Sequence, residues 1–172
     1  EKKWLKTYFI NEIFPLLTPM AIDPSHPFPF VPNLGLSIVL KLKSKKTKNI
    51  IRVVIPFPKG LKKFIKINNI NKFIATENII IFYIDLLFPK YTFISYGVFR
   101  LIRDSDIEFS DEAEDLVTTF ENQIRKRRYG REVLLEMTKT IPEDLKSMII
   151  SSLNINKKNI IYAQHILDIS SV

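Results

Sequence analysis

Apolar side chains recur at helical spacing across residues 1–14, where Trp4, Leu5, Tyr8, Phe9, Phe14 and neighbouring isoleucines fall before Pro15 closes the run. The pattern predicts a helix. Leu36 to Leu42 and Ile50 to Ile55 are aliphatic and β-branched, and the polar stretch Lys43 to Asn49 between them suits the loop of an antiparallel hairpin. Phe64-Ile-Lys-Ile and Phe73-Ile-Ala read as short strands or edge pieces, because Pro56 and Pro58 forbid a long central strand just before them. Glu77 to Phe88 is apolar almost throughout. Its isoleucines suit a strand, but Thr76 as a cap, Glu77 in the first turn and Pro89 past the end favour a helix. Tyr91 to Ile102 predicts a long strand, with Phe93, Phe99 and Leu101 on one face and Ile94, Tyr96, Val98 and Ile102 on the other. Apolar on both sides, it belongs in the middle of a sheet.

Beyond Ser110, Ala113, Leu116, Val117, Phe120 and Ile124 form the stripe of a helix with acids in its first turn and Gly130 at its stop. A strand over 131–138 follows. A helix from Pro142 then carries Leu145, Met148, Ile149 and Leu153 on one face, and Asn159 to Ala163 reads as a last strand. This order predicts an α+β fold: a mixed, largely antiparallel sheet with helices packed mainly on one face, preceded by an N-terminal helix and an extended proline-rich segment.

That segment is the most unusual stretch of the chain. Six of the ten prolines lie between residues 15 and 32. Each fixes φ and removes a donor, so the backbone runs extended and close to polyproline II. Met20, Ile22, Phe28, Phe30 and Val31 alternate with the prolines. The ribbon is therefore apolar as well as rigid, and is expected to lie pinned against a folded body.

The length of 172 residues suits one domain with a real core. No apolar run reaches the roughly 18 residues of a membrane-crossing helix, and the longest candidate, near Ile79 to Phe88, is broken by Asp85. With no cysteine, disulfides, thiolate metal sites and thiol nucleophiles are excluded. The expected compartment is the cytoplasm, with peripheral membrane association left open. The chain opens at Glu1 without a signal-peptide layout and stops on what reads as the start of another element, as a piece of a longer protein would.

A net charge of +8 invites an anionic partner: nucleic acid, a membrane surface or a phosphate polymer. Heavy use of Ile, Lys and Asn with only four glycines is also the bias of AT-rich coding, so much of the lysine excess reads as solvated surface. Against 19 lysines, the seven arginines are more informative. Five cluster between Arg100 and Arg128: Arg100, Arg103, Arg125, Arg127 and Arg128.

None of the four glycines stands in a phosphate-cradling loop followed by Lys and Ser or Thr. The two histidines, His26 and His165, lie far apart without a metal-ligand pattern. Nothing resembles a strained serine elbow. His26 is readable as a phosphate contact or general acid, but Asp23, Ser25 and His26 more simply hydrogen-bond locally to shape the ribbon.

Leu17-Thr-Pro-Met-Ala-Ile-Asp-Pro-Ser-His-Pro-Phe-Pro resembles the opening of the middle, or head, domain of bacterial polyphosphate kinases. Val53-Val-Ile-Pro, Phe88-Pro, Phe99-Arg-Leu-Ile-Arg-Asp, Glu114-Asp-Leu, Arg127-Arg-Tyr-Gly-Arg-Glu-Val-Leu-Leu-Glu and Ile141-Pro follow in the same order, so the resemblance covers nearly the whole chain. It implies a domain plan in which 1–14 leads in from a preceding domain, 15–165 is the middle domain, and 166–172 begins the connection to a catalytic C-terminal region. It also implies an intact enzyme, a phosphoprotein and oligomer, that moves the terminal phosphate of ATP onto polyphosphate with Mg²⁺. The phosphorylated histidine would lie outside this chain, which is expected to hold no cofactor, catalytic residue or metal of its own. The implied partners are the other domains of the same polypeptide, further subunits and polyphosphate, and the implied role is scaffold and interface.

Arg100 and Arg103 are the first candidate phosphate contacts, since two guanidinium groups near a strand end can grip phosphoryl oxygens bidentately. Three residues apart, they face opposite sides of an ideal strand unless a bulge intervenes, and pairing with nearby acids is the competing reading. Arg127 and Arg128 are the second pair. Read alone, Arg125-Lys-Arg-Arg-Tyr-Gly-Arg resembles a nucleic-acid patch, but at a helix C-terminus its charges also complement the dipole and form salt bridges. A stand-alone polyanion-binding module, holding polyphosphate or nucleic acid, is the alternative to the scaffold reading.

Overall fold

The computed structural model describes residues 2–23, 28–58, 60–67, 72–103 and 132–164. The predicted helix after Ser110 and its arginine-rich end lie outside them, as do His26 and His165. Helix α1 (Lys2–Tyr8) widens into a π-helical turn over Phe9–Ile13, closed by the Phe14 N–H on the Phe9 carbonyl, and ends in a tight 3₁₀ turn, Phe14–Leu16. Pro15 sits inside that last turn rather than beyond it, at a position that needs no amide donor.

The strands and later helices follow as β1 (Met20–Ile22), β2 (Leu36–Ser44), β3 (Ile50–Pro56), β4 (Phe64–Lys66), β5 (Phe73–Ala75), α2 (Thr76–Phe82), α3 (Ile84–Leu87), β6 (Tyr91–Arg103), β7 (Glu132–Thr138), α4 (Glu143–Leu153) and β8 (Ile160–Ala163). Six strands form one sheet in the order β1-β3-β2-β6-β7-β8, and β4 and β5 form a separate antiparallel pair. Every pairing in the large sheet is antiparallel except β7 with β8, where α4 makes the crossover between parallel neighbours. The fold is α+β with a mixed, largely antiparallel sheet, and β6 is central as its two apolar faces require. The proline ribbon contributes an edge: β1 pairs with β3 through Met20↔Val54, Ala21↔Val53 and Ile22↔Arg52.

Alternation along the strands divides the core in two. Leu36, Ile38, Leu40 and Leu42 of β2, with Val53, Ile55 and Val98, pack under Phe9, Ile13, Ile79, Ile80 and Ile84 from α1 and its extension, α2 and α3. Val39, Val54, Phe99, Leu101, Leu135 and Met137 face the other way, against Ile141 and the Leu145 and Ile149 stripe of α4. Most described helical segments thus share one face, and α4 alone covers the other.

Three local expectations are corrected. Phe93 does not share a face with Phe99: a bulge at Ile94, between the register pairs Lys41↔Ser95 and Leu42↔Phe93, turns Phe93 onto the side of Tyr96 and Val98. The helix expected over 77–88 is two pieces that break at Tyr83. Thr76 does not cap it; its Oγ1 donates to the Lys62 carbonyl at 2.6 Å, binding α2 to the approach to β4.

Candidate functional site at the arginine end of the central strand

Strand β6 ends in Arg100-Leu101-Ile102-Arg103, and its period of two sends the arginines to opposite faces. The structure does not bring them together. Arg100 lies on the α1–α2 side, across the register pair Arg100↔Glu136. Its Nε and Nη2 both donate to Glu136 Oε2, at 2.7 and 2.6 Å, with each side chain only 18% exposed. Glu136 stands 36 positions away in the chain, on the neighbouring strand β7.

Arg103 points to the α4 side and is buried. Its backbone N–H donates to Asn33 Oδ1 at 2.8 Å, its Nε donates to the Val31 carbonyl at 3.3 Å, and its Cζ lies 5.2 Å from the centre of the Phe30 ring. The Leu34 N–H donates to the Leu101 carbonyl at 2.9 Å, and Phe28 packs 6.2 Å from Phe99. The downstream half of the proline ribbon is thus fastened to the end of β6. A planar guanidinium does what an ammonium could not: it binds a carbonyl in its plane while stacking a face on an aromatic ring. Arg127 and Arg128 lie outside the described residues.

A second basic locus was not singled out by sequence position. Lys41 and Arg52 are register partners on β2 and β3, and the row continues to Ser95 on β6 and Ile22 on β1. They follow the buried pair Val39↔Val54 on the same face, where the apolar cover ends and the first turn of α4 begins. Lys41 Nζ donates to Asp144 Oδ2 at 2.6 Å. That hydrogen bond above all, with the charges of Lys41 and Arg52 and the Leu145 N–H, holds the Asp144 carboxyl below the usual carboxylate range despite partial desolvation. The available signal was one arginine inside Ile50-Ile-Arg-Val-Val, an otherwise apolar strand.

Among the described residues no three carboxylate or imidazole side chains converge on a point that could hold a metal ion. No helix there is long and apolar enough to cross a membrane. A groove of about 310 Å³ opens between α1, the β4–β5 pair and α2, lined by Lys2, Leu5, Ile67, Ile74, Asn78 and Phe82.

A sequence model described as the polyphosphate kinase middle domain matches residues 1–172. Polyphosphate kinase of Erythrobacter litoralis is 42% identical over 78% of this chain and 19% of its own length. That of Prosthecochloris aestuarii is 34% identical over 99% of the chain and 25% of its own. In fold, the crystal structure of polyphosphate kinase from Porphyromonas gingivalis superposes with a TM-score of 0.72 at 22% identity, over 94% of this chain and 23% of that one. The chain therefore spans about a quarter or less of the length of these relatives. Matched from its first residue to its last, it belongs to the polyphosphate kinase family, as the middle domain.

Proposed function

We propose that the chain is the structural middle domain of an enzyme that reversibly transfers the terminal phosphate of ATP to inorganic polyphosphate, serving as scaffold and as interface to other domains and subunits. One observation carries the scaffold role: the candidate arginines of β6 are built into the domain's own architecture. Arg100 joins β6 to β7 through Glu136, and Arg103 joins β6 to the ribbon. The interface role is supported by apolar surface around the α1–α2 groove, where Phe73 and Phe82 stand 62% and 60% exposed. ATP, Mg²⁺ and the phosphorylated histidine are assigned to the remaining three-quarters of the enzyme, and no step of phosphoryl transfer is routed through this chain. A cytoplasmic location accompanies this reading.

Purified residues 1–172 given ATP and Mg²⁺ are expected to form no polyphosphate. Measured turnover would overturn the proposal. The second reading, a polyanion-binding module using Arg100, Arg103, Arg127 and Arg128, predicts tight binding that collapses steeply as salt is raised, because several released counterions contribute.

A further inference from the structure

One stretch of the chain is free of negative charge. Residues 24–76 hold ten lysines and Arg52 but no Asp or Glu, although the whole sequence has 18 acids. A coding bias that adds lysine does not by itself remove carboxylates. The fold gathers part of this charge at one end of the sheet. The turn between β2 and β3 is closed by the Ser44 N–H on the Asn49 carbonyl, the Lys48 N–H on the Ser44 carbonyl and the Thr47 N–H on Ser44 Oγ. It is fastened to the turn that leads into β6, where the Lys45 N–H donates to the Lys90 carbonyl and Lys45 Nζ to the Pro89 carbonyl, each at 3.0 Å. Lys43, Lys45, Lys46, Lys48 and Lys90 thus share one closed and anchored corner, all of them exposed. None of the five forms an ion pair with another described residue, and Asp144, at the nearby start of α4, is already held by Lys41. Ile50, the register partner of Lys43, stands beside it 51% exposed.

We propose that this corner is a docking surface for an anionic lipid bilayer. Charge complementarity carries the assignment: each lysine close to an anionic leaflet strengthens attachment about fivefold, and an extended negative surface can engage all five at once. Lysine suits the task, since its alkyl stem can lie against the interface while the ammonium stays among the headgroup phosphates. Ile50 supplies what a charge patch alone lacks, an apolar side chain placed to enter between the headgroups. A nucleic acid would call for other equipment. Turn residues 44–49 include neither an arginine for bidentate phosphate contact nor an aromatic ring on which a base could stack. A hairpin tip is also convex, whereas single-stranded nucleic acid is held along a groove.

Cosedimentation of the 172-residue protein with phosphatidylcholine vesicles containing about 30% phosphatidylserine tests this. Retention on these vesicles and not on phosphatidylcholine alone is expected, fading as added salt shortens the screening length. Lys46→Gln with Lys48→Gln should weaken it about thirtyfold. Lys157→Gln with Lys158→Gln makes the same change in net charge at the opposite end of the sheet, just before β8, and should cost less than about twofold. Ile50→Ser leaves the charge alone and should weaken retention about threefold or more. All five substitutions fall on exposed side chains, so each variant is expected to keep the parent's thermal midpoint closely. No retention on the anionic vesicles, or equal loss in the two double variants, would overturn the proposal. Poly(U) RNA is the competing probe. Tighter binding to poly(U) than to the vesicles, indifferent to Ile50→Ser, would assign the corner to nucleic acid instead.

Discussion

Gly97 of β6 lies directly against Ile141, so closely that a Cβ built on the glycine would meet Ile141 Cδ1 at 2.5 Å and Cγ1 closer still. The glycine is required by this approach rather than by any backbone twist. It sits opposite Val39 in the sheet, where the turn into α4 presses Ile141 onto the strand. Gly97→Ala should destabilise the chain by about 1–3 kcal/mol, the usual cost of overpacking. Adding Ile141→Ala should recover part of that loss, giving a coupling in a double-mutant cycle of urea unfolding. Strict additivity would exclude the contact.

Lys63 is 2% exposed, and its Nζ donates to Glu77 Oε1 at 2.5 Å while lying 5.8 Å from the centre of the Phe57 ring. Removing one partner strands the other. Glu77→Leu alone should cost about 3–5 kcal/mol, whereas Lys63→Met with Glu77→Leu should fall within about 1 kcal/mol of the parent. Denaturant midpoints of the three proteins test this directly.

Arg103→Lys keeps the charge but removes the Nε donor to the Val31 carbonyl and the flat face over Phe30. A loss of about 1–3 kcal/mol is expected, with faster proteolysis near Phe30 as the ribbon loosens. Equal stability and equal protease resistance would show that charge alone suffices.

The Lys41–Asp144 pair sets a pH dependence. Asp144 titrates lower in the folded chain than in the unfolded one, where about 3.9 is usual. Between the two values the unfolded chain binds more protons, so stability rises with pH there. The contribution is complete above that unfolded value and is lost as pH falls through the folded one. With the Asp144 side chain 37% exposed, it should stay below about 1 kcal/mol. Lys41→Met should flatten the thermal-midpoint curve below about pH 4.

Much of the fold was legible because period and punctuation agree. The hairpin of β2 and β3, the long β6 and the Leu145–Ile149 stripe of α4 all follow from alternation or helical spacing bounded by polar and proline residues. The misplacement of Phe93 has a local cause. One extra residue at Ile94 shifts the phase of everything before it, and a single sequence carries no mark of which residue will bulge. Thr76 shows a competition that sequence cannot weigh, since the same hydroxyl can serve its own helix or a carbonyl 14 residues back. At the candidate site, alternation alone separates Arg100 from Arg103, whereas their partners Glu136 and Val31 come from elements 36 and 72 residues away.

The ribbon's brief pairing with β3 also determines how this molecule meets others. Met20–Ile22 offers only three residues of outward backbone, and Pro19 and Pro24 on either flank lack the amide a visiting strand would need. One margin of the sheet is thereby closed to chance annealing between neighbouring molecules, so the rigidity that shapes the segment also protects the protein's solubility.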